Sequence, residues 1–124
     1  GGRLVAVASI ASLQGGANIA AYVAAKHGVL GLVRSLAIEV AKQGITCNAV
    51  CPGFVDTPMA EGAVKNIAKR FNLSTEDATA QIVKRNPMQR MITPDEVVAA
   101  VRFLASREAS MVNGHALSVS GGEI

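Results

Sequence analysis

Apolar and polar residues along the chain fall into a strand, helix, strand, helix, strand pattern. Residues 3–9, "RLVAVAS", form an almost uninterrupted apolar run of the kind found in a strand covered on both faces. From about Ala20 to Lys42 the pattern predicts one long helix, ended by Gly44 after Lys42 and Gln43. "ITCNAV" at 45–50 is β-branched and apolar, and Pro52 and Gly53 close it as a second buried strand. Residues 58–92 hold two short helices, the second opened by the capping pattern "STED" at Ser74 to Asp77. A further helix starts at "TPDE", with Thr93 as cap, Pro94 in the first position and Glu96 reaching back, and runs to about Ser106. After an Asn113-Gly114 turn, "HALSVS" supplies a third strand.

Apolar strands alternating with helices predict an α/β fold whose parallel sheet is joined by helical crossovers. Between Ala20 and Ala41 the polar side chains are few, chiefly Lys26, His27, Arg34, Ser35 and Glu39. A helix apolar on nearly every side is buried on more than one face. Three strands and two helices cannot provide that cover, so more chain or another subunit is expected to supply it.

Composition narrows the class. The chain has 124 residues, 50% hydrophobic and 17% charged, enough for one domain with one sizeable core. It begins at Gly1 and enters almost at once into a buried-strand pattern, which suggests a piece of something longer. No signal-peptide pattern is present, and no run approaches the roughly 18 apolar residues of a membrane span, so the expected location is the cytoplasm. Cys47 and Cys51, four residues apart on a strand, would lie about 13 Å from each other, beyond the roughly 7 Å a disulfide spans. They are expected to be free thiols in a reducing compartment. No metal site is expected, because these cysteines and the isolated His27 and His115 lack ligand spacing.

Net charge is only +3, but six of the twelve Lys and Arg residues (Lys65, Lys69, Arg70, Lys84, Arg85 and Arg90) crowd into positions 61–92, against Glu61, Glu76 and Asp77. This excess reads either as a solvated helical face or as an attractor for an anionic substrate or carrier. Nucleic acid is not an expected partner: only Tyr22 and three phenylalanines could stack on bases.

The candidate chemistry lies at one edge of the expected sheet. Open α/β sheets bind ligands beyond the carboxyl ends of their strands. Ser9 ends the first strand there, Tyr22 and Lys26 open the helix that runs back, and Pro52-Gly53 follows the second strand. Tyr22 and Lys26, at i and i+4, are neighbours on one helix face. A phenol ordinarily ionises near pH 10, too high for proton transfer at neutrality, and a nearby ammonium favours the phenolate. Such a pair makes a tuned general acid/base. Either feature alone is weak, since a serine at a strand end often serves the local backbone; their conjunction carries the reading.

With Ser9 thirteen residues ahead of the Tyr22-x-x-x-Lys26 pair, the sequence resembles the classical short-chain dehydrogenase/reductase family. The resemblance continues through "CNAVCPGFVDTPM" and the terminal "NGHALSVSGG", and so covers essentially the whole chain. It implies the carboxyl-terminal part of a Rossmann-like doubly wound parallel sheet. Residues 1–124 would be the catalytic half of a single NAD(P)-binding domain, with a small helical substrate lid at about 58–92. It implies an oxidoreductase interconverting a secondary alcohol and a ketone, 3-hydroxyacyl/3-oxoacyl-type or similar, with NAD or NADP as cofactor. Tyr22 would exchange the proton with the substrate oxygen while hydride passes to or from nicotinamide. Lys26 would tune the phenol and bind the nicotinamide ribose, and Ser9 would hold the reacting oxygen. Backbone around Pro52, Gly53 and Val55, with the Thr57 hydroxyl, would contact the nicotinamide end and nearby phosphates. Asn48 falls at a family position read as structural.

The family's glycine-rich phosphate loop, its Asn-Ala-Gly segment and a further catalytic asparagine lie ahead of the serine and have no counterpart here. Gly15 and Gly16 do not replace them. The chain alone is therefore expected to lack the adenosine half of the cofactor site, and with it the residue that separates NAD from NADP. A related epimerase or dehydratase, or a non-catalytic fragment or assembly subunit, remains as an alternative; the single short lid favours the classical group. The expected partners are a small alcohol or ketone, or an acyl thioester, and further copies of the chain in a homodimer or homotetramer.

Overall fold

A computed structural model describes all 124 residues. Strand β1 (Arg3–Val7) leads through a 3-10 turn at Ile10–Ser12 into helix α1 (Ala20–Val40), which a second 3-10 turn, Ala41–Gln43, extends. Strand β2 (Thr46–Pro52), helices α2 (Pro58–Phe71), α3 (Thr75–Ile82) and α4 (Pro94–Ala105), a 3-10 turn at Arg107–Ala109 and strand β3 (Ala116–Val119) follow. The three strands form one parallel sheet in the order β1-β2-β3, with Val5 opposite Asn48 and Val50 opposite Leu117.

Helices α1 and α4 pack on opposite faces, which makes the sheet doubly wound. Alternation along β2 explains how one strand serves both. Cys47, Ala49 and Cys51 join Leu30, Val33 and Ala37 of α1 in the main core cluster, while Asn48 and Val50 fall on the other side, where α4 lies. Every residue of β2 is buried, as its apolar run predicts.

The first strand departs from expectation. It ends at Val7, so Ser9 lies beyond it, and it is half exposed, with Leu4 47% and Val7 59% accessible. The apolar run is that of a buried strand, but β1 is an edge strand within this chain and no element covers its outer side. Helix α1 shows the same deficit. Leu30, Val33 and Ala37 are buried, whereas Leu32 and Ile38 are 59% and 79% exposed. No helix is long and apolar enough to cross a membrane.

Local chemistry sets the helix ends. Gly44 takes a left-handed φ of +71°, which closes α1 and its extension without steric cost. The Thr57 hydroxyl accepts from the Ala60 amide at 3.3 Å, with Pro58 in the first turn, and left-handed Asn72 ends α2. This helix reaches 14 residues, longer than the short element the sequence suggested, and runs through Gly62 before Asn72 ends it. Thr93 and Glu96 form the expected capping box: the Glu96 amide donates to Thr93 Oγ1 at 3.3 Å, and the Thr93 amide donates to Glu96 Oε1 at 2.8 Å.

The segment expected to be a lid is an excursion with tied ends. A parallel bridge joins Val55 to Ile92, through Asp56 N–H to the Ile92 carbonyl at 2.8 Å and Ile92 N–H to the Phe54 carbonyl at 2.9 Å. Residues 56–91 thus leave and re-enter the fold at one point beside the end of β2.

Candidate active site

At the carboxyl edge of the sheet, β1 gives way to Ser9, whose hydroxyl accepts from the Ala11 amide at 3.1 Å and caps the 3-10 turn. That bond fixes the hydroxyl's position and leaves its proton free to be donated. Tyr22 is the third residue of α1, and its ring is half exposed. One turn further on, Lys26 carries its Nζ over the Tyr22 ring, 5.6 Å from the centroid. A cation over an aromatic face is attracted by the ring quadrupole, which holds the two side chains together.

Gly53 follows β2 and donates its N–H to the Val119 carbonyl at 3.0 Å. A Cβ here would come within 3.1 Å of Ile92 Cδ1 and 3.5 Å of Ser120 Cα, so glycine lets the loop pass close to Ile92 and the end of β3. Ser9, Tyr22, Gly53, Val55 and Thr57 line a single cavity of about 500 Å³. Its walls are mostly apolar, with Ile10, Ile19, Phe54 and Met59 among them. Lys26 stands behind Tyr22 and does not line the cavity, and Pro52 is buried as the last residue of β2. Thr57 lines the cavity with a hydroxyl already engaged by the Ala60 amide and the Val55 carbonyl.

Asn48 has no part in the cavity. It is fully buried, donates through Nδ2 to the Val112 carbonyl at 2.8 Å, and accepts from the His115 amide at 2.9 Å. The side chain sews the turn before β3 to the centre of the sheet, which is the structural role read from its position. Asn113 does the same from the other side, accepting from the Cys47 amide and donating to the Ala37 carbonyl, both at 2.9 Å. The sequence marked Asn113 only as half of an Asn-Gly turn.

Three further residues near the site escaped the sequence. Gln14 donates to Glu123 at 3.2 Å, tying the loop after the 3-10 turn to the carboxyl terminus, and Glu123 lines the cavity. Asn86 accepts from the Met88 amide at 2.8 Å and donates to the Arg90 carbonyl at 2.9 Å, folding the turn at residues 86–90. The Asn86-Pro87 pair was a legible turn signal; the long-range Gln14 contact had none.

Both thiols are buried and free. Burial pushes the Cys47 and Cys51 thiols up from their ordinary value, and for Cys51 the Ser9 backbone and the Arg34 charge offset only part of this. Neither is an activated nucleophile.

A phenol with an ammonium behind it, a positioned hydroxyl and a glycine-opened loop fit the nicotinamide end of a dinucleotide. Gly15 and Gly16 build no seat for the diphosphate end. A Cβ at Gly16 would run into the Ile19 side chain, so this glycine serves local packing, and Gly15 has nothing near it.

A doubly wound parallel sheet with this serine, tyrosine and lysine at its carboxyl edge defines a class, and the chain belongs to the short-chain dehydrogenase/reductase family. Residues 1–123 match the family model described as enoyl-(acyl carrier protein) reductase. The chain is 40% identical over 121 residues to the 3-oxoacyl-[acyl-carrier-protein] reductase FabG of Vibrio cholerae, covering 98% of this chain and 45% of that protein. It is 39% identical over 122 residues to a D-beta-hydroxybutyrate dehydrogenase of Cupriavidus necator, covering 98% and 47%. A variant of the actinorhodin polyketide ketoreductase crystallised with NADPH superposes with a TM-score of 0.89 at 42% identity, over 98% of this chain and 46% of that one. The chain therefore spans about half the length of the relatives it matches and forms the carboxyl-terminal part of their fold.

Proposed function

We propose that residues 1–124 are the catalytic half of an NAD(P)-dependent oxidoreductase that interconverts a secondary alcohol and a ketone of the 3-hydroxyacyl/3-oxoacyl type. The observation that carries this reading is the convergence of Ser9, Tyr22 and the 53–57 loop, distant in sequence, on one cavity beneath a tied lid. In reduction, the Tyr22 phenol gives its proton to the carbonyl oxygen as charge develops there. In oxidation, the phenolate takes the proton from the alcohol. The Ser9 hydroxyl, its acceptor side held by the Ala11 amide, donates to the same oxygen and orients it. Lys26 stabilises the phenolate from behind the ring and binds the nicotinamide ribose, while backbone at Pro52, Gly53 and Val55 and the Thr57 side chain receive the nicotinamide end. When bound, the dinucleotide supplies or accepts the hydride. A relative crystallised with NADPH supports a nicotinamide cofactor.

The lid at 58–92 closes over the substrate. Exposed Leu32 and Ile38 on α1, with the β1 edge, await cover from the remainder of the fold and from sister subunits in a dimer or tetramer. Two free buried thiols suit the reducing cytoplasm.

The test is Tyr22→Phe in a full-length protein carrying this half. The Tyr22 hydroxyl makes no hydrogen bond within the chain, so its loss orphans no partner and melting should be unchanged. Turnover of a 3-oxoacyl substrate should fall by roughly 10²- to 10⁴-fold. Near-normal turnover by a stably folded variant would mean that the proton comes from elsewhere.

A further inference from the structure

The basic excess of the lid does not act as one patch. Lys65 and Arg90 border a separate cavity lined by residues of α2 and α3, and Arg90 is held by Glu96 through two contacts of 2.7 Å. Arg70 lies over the Phe71 ring, 5.4 Å from its centroid, and Lys69 and Lys84 border neither cavity. Only Arg85, just past the end of α3, lines the cavity that holds Ser9 and Tyr22. Its guanidinium has no ion pair and no hydrogen bond within the chain, since the Arg90–Glu96 bridge is the only salt bridge present.

The other charged residue of that cavity, Glu123, accepts from the neutral Gln14 amide and keeps its charge, and no ion pair joins it to Arg85. The cavity that Arg85 and Tyr22 share is mostly apolar, with Ile19, Phe54, Met59 and Ile82 among its lining residues. Such a cavity accepts an apolar body and meets it at the rim with one unneutralised fork of N–H donors, the group best shaped to grip an oxyanion.

We propose that Arg85 is the specificity-determining residue of this site, and that it selects ketones carrying an anionic group on an apolar acyl body. The inference rests on the reading of that cavity as the substrate site. Two sources present the same chemistry: a phosphate of a pantetheine-type thioester carrier, or a carboxylate on the substrate itself. The remaining lid cations contribute only diffuse attraction.

The experiment uses the full-length protein with Arg85→Gln, and Lys84→Gln as the neighbouring charge control. Three probes are compared: a 3-oxoacyl-coenzyme A, the neutral N-acetylcysteamine thioester of the same acyl group, and a matched ketone bearing a carboxylate. KM and kcat are measured, together with calorimetric binding of the corresponding hydroxy compounds without turnover. Arg85→Gln should weaken binding and raise KM about tenfold for an anionic probe, as expected of a charge-assisted bond. The neutral thioester and kcat should stay within about twofold, and added salt should narrow the gap. Loss confined to the coenzyme A thioester assigns the phosphate; loss with the carboxylate ketone assigns the substrate's own acid. Equal losses on all three probes, or an Arg85→Gln effect no larger than that of Lys84→Gln, would overturn the proposal. Arg85-dependent binding in a protein that reduces no ketone would sink the oxidoreductase reading and leave only the anion grip of Arg85 standing. Tyr22-dependent turnover with binding indifferent to Arg85 would do the reverse.

Discussion

Replacing Asn48 by alanine separates a structural asparagine from a catalytic one. The side chain is fully buried and its carboxamide has two backbone partners, the Val112 carbonyl at 2.8 Å and the His115 amide at 2.9 Å. Alanine leaves both without a partner. An orphaned buried polar group costs about 1–3 kcal/mol. Val112 is only half-buried and His115 is exposed, so water can reach part of the gap, and the lower part of that range applies to each. Two such losses give about 2–4 kcal/mol, a large share of the 5–15 kcal/mol by which domains are typically stable.

The assay is urea unfolding of the full-length protein followed by far-ultraviolet circular dichroism. The midpoint should fall at constant m, the sign that stability rather than compactness has changed. Asn48→Asp offers a control: it keeps an acceptor for His115 but turns a lone pair towards the Val112 carbonyl and buries a charge, so it should be no milder than alanine. Below the unfolding temperature, kcat/KM should stay within about threefold. A stability loss under about 0.5 kcal/mol would refute the argument. A hundredfold loss of kcat with stability intact would do so more sharply, because Asn48 would then belong to the site.

Lys26→Met should slow turnover and weaken nucleotide binding together, measured by kcat and by cofactor titration, because one ammonium serves both phenol and ribose. Hydrogen bonds from Arg90 and then from the Thr93 backbone lower the Glu96 carboxyl from 4.5 to about 2. Its folded value lies below its unfolded one, so its contribution to stability is present above pH 4.5 and disappears as pH falls towards 2; Glu96→Gln should flatten that part of a denaturant-midpoint profile. Cys47 and Cys51 should be silent to a thiol reagent in the native protein and react fully in denaturant, and fast native labelling would contradict their burial. Gly121→Ala places a Cβ against the Asn86 carboxamide at a φ of +65°, so thermal melting should show a loss of about 1–3 kcal/mol.

Local pattern alone determined much of this chain. The apolar run of β2, the Thr93-Pro94 start of α4 and the Gly44 stop are short-range signals, whose physics acts between residues a few positions apart and can be read without knowing the fold. The Tyr22–Lys26 pair is legible for the same reason, since helical periodicity alone makes i and i+4 neighbours. The family signature added Ser9 and the loop after β2.

Only the tertiary structure decided which groups meet across long separations. The apolar pattern of β1 reads as buried, yet its exposure depends on what lies beside it. The six basic residues between positions 61 and 92 look alike in sequence, and packing of α2 on α3 turns Arg85 to the cavity while Lys65 and Arg90 face another. Gln14 meets Glu123 across 109 positions, and Asn48 reaches Val112 across 64. Such contacts form when strand order and helix packing bring distant segments together, and no local propensity encodes them.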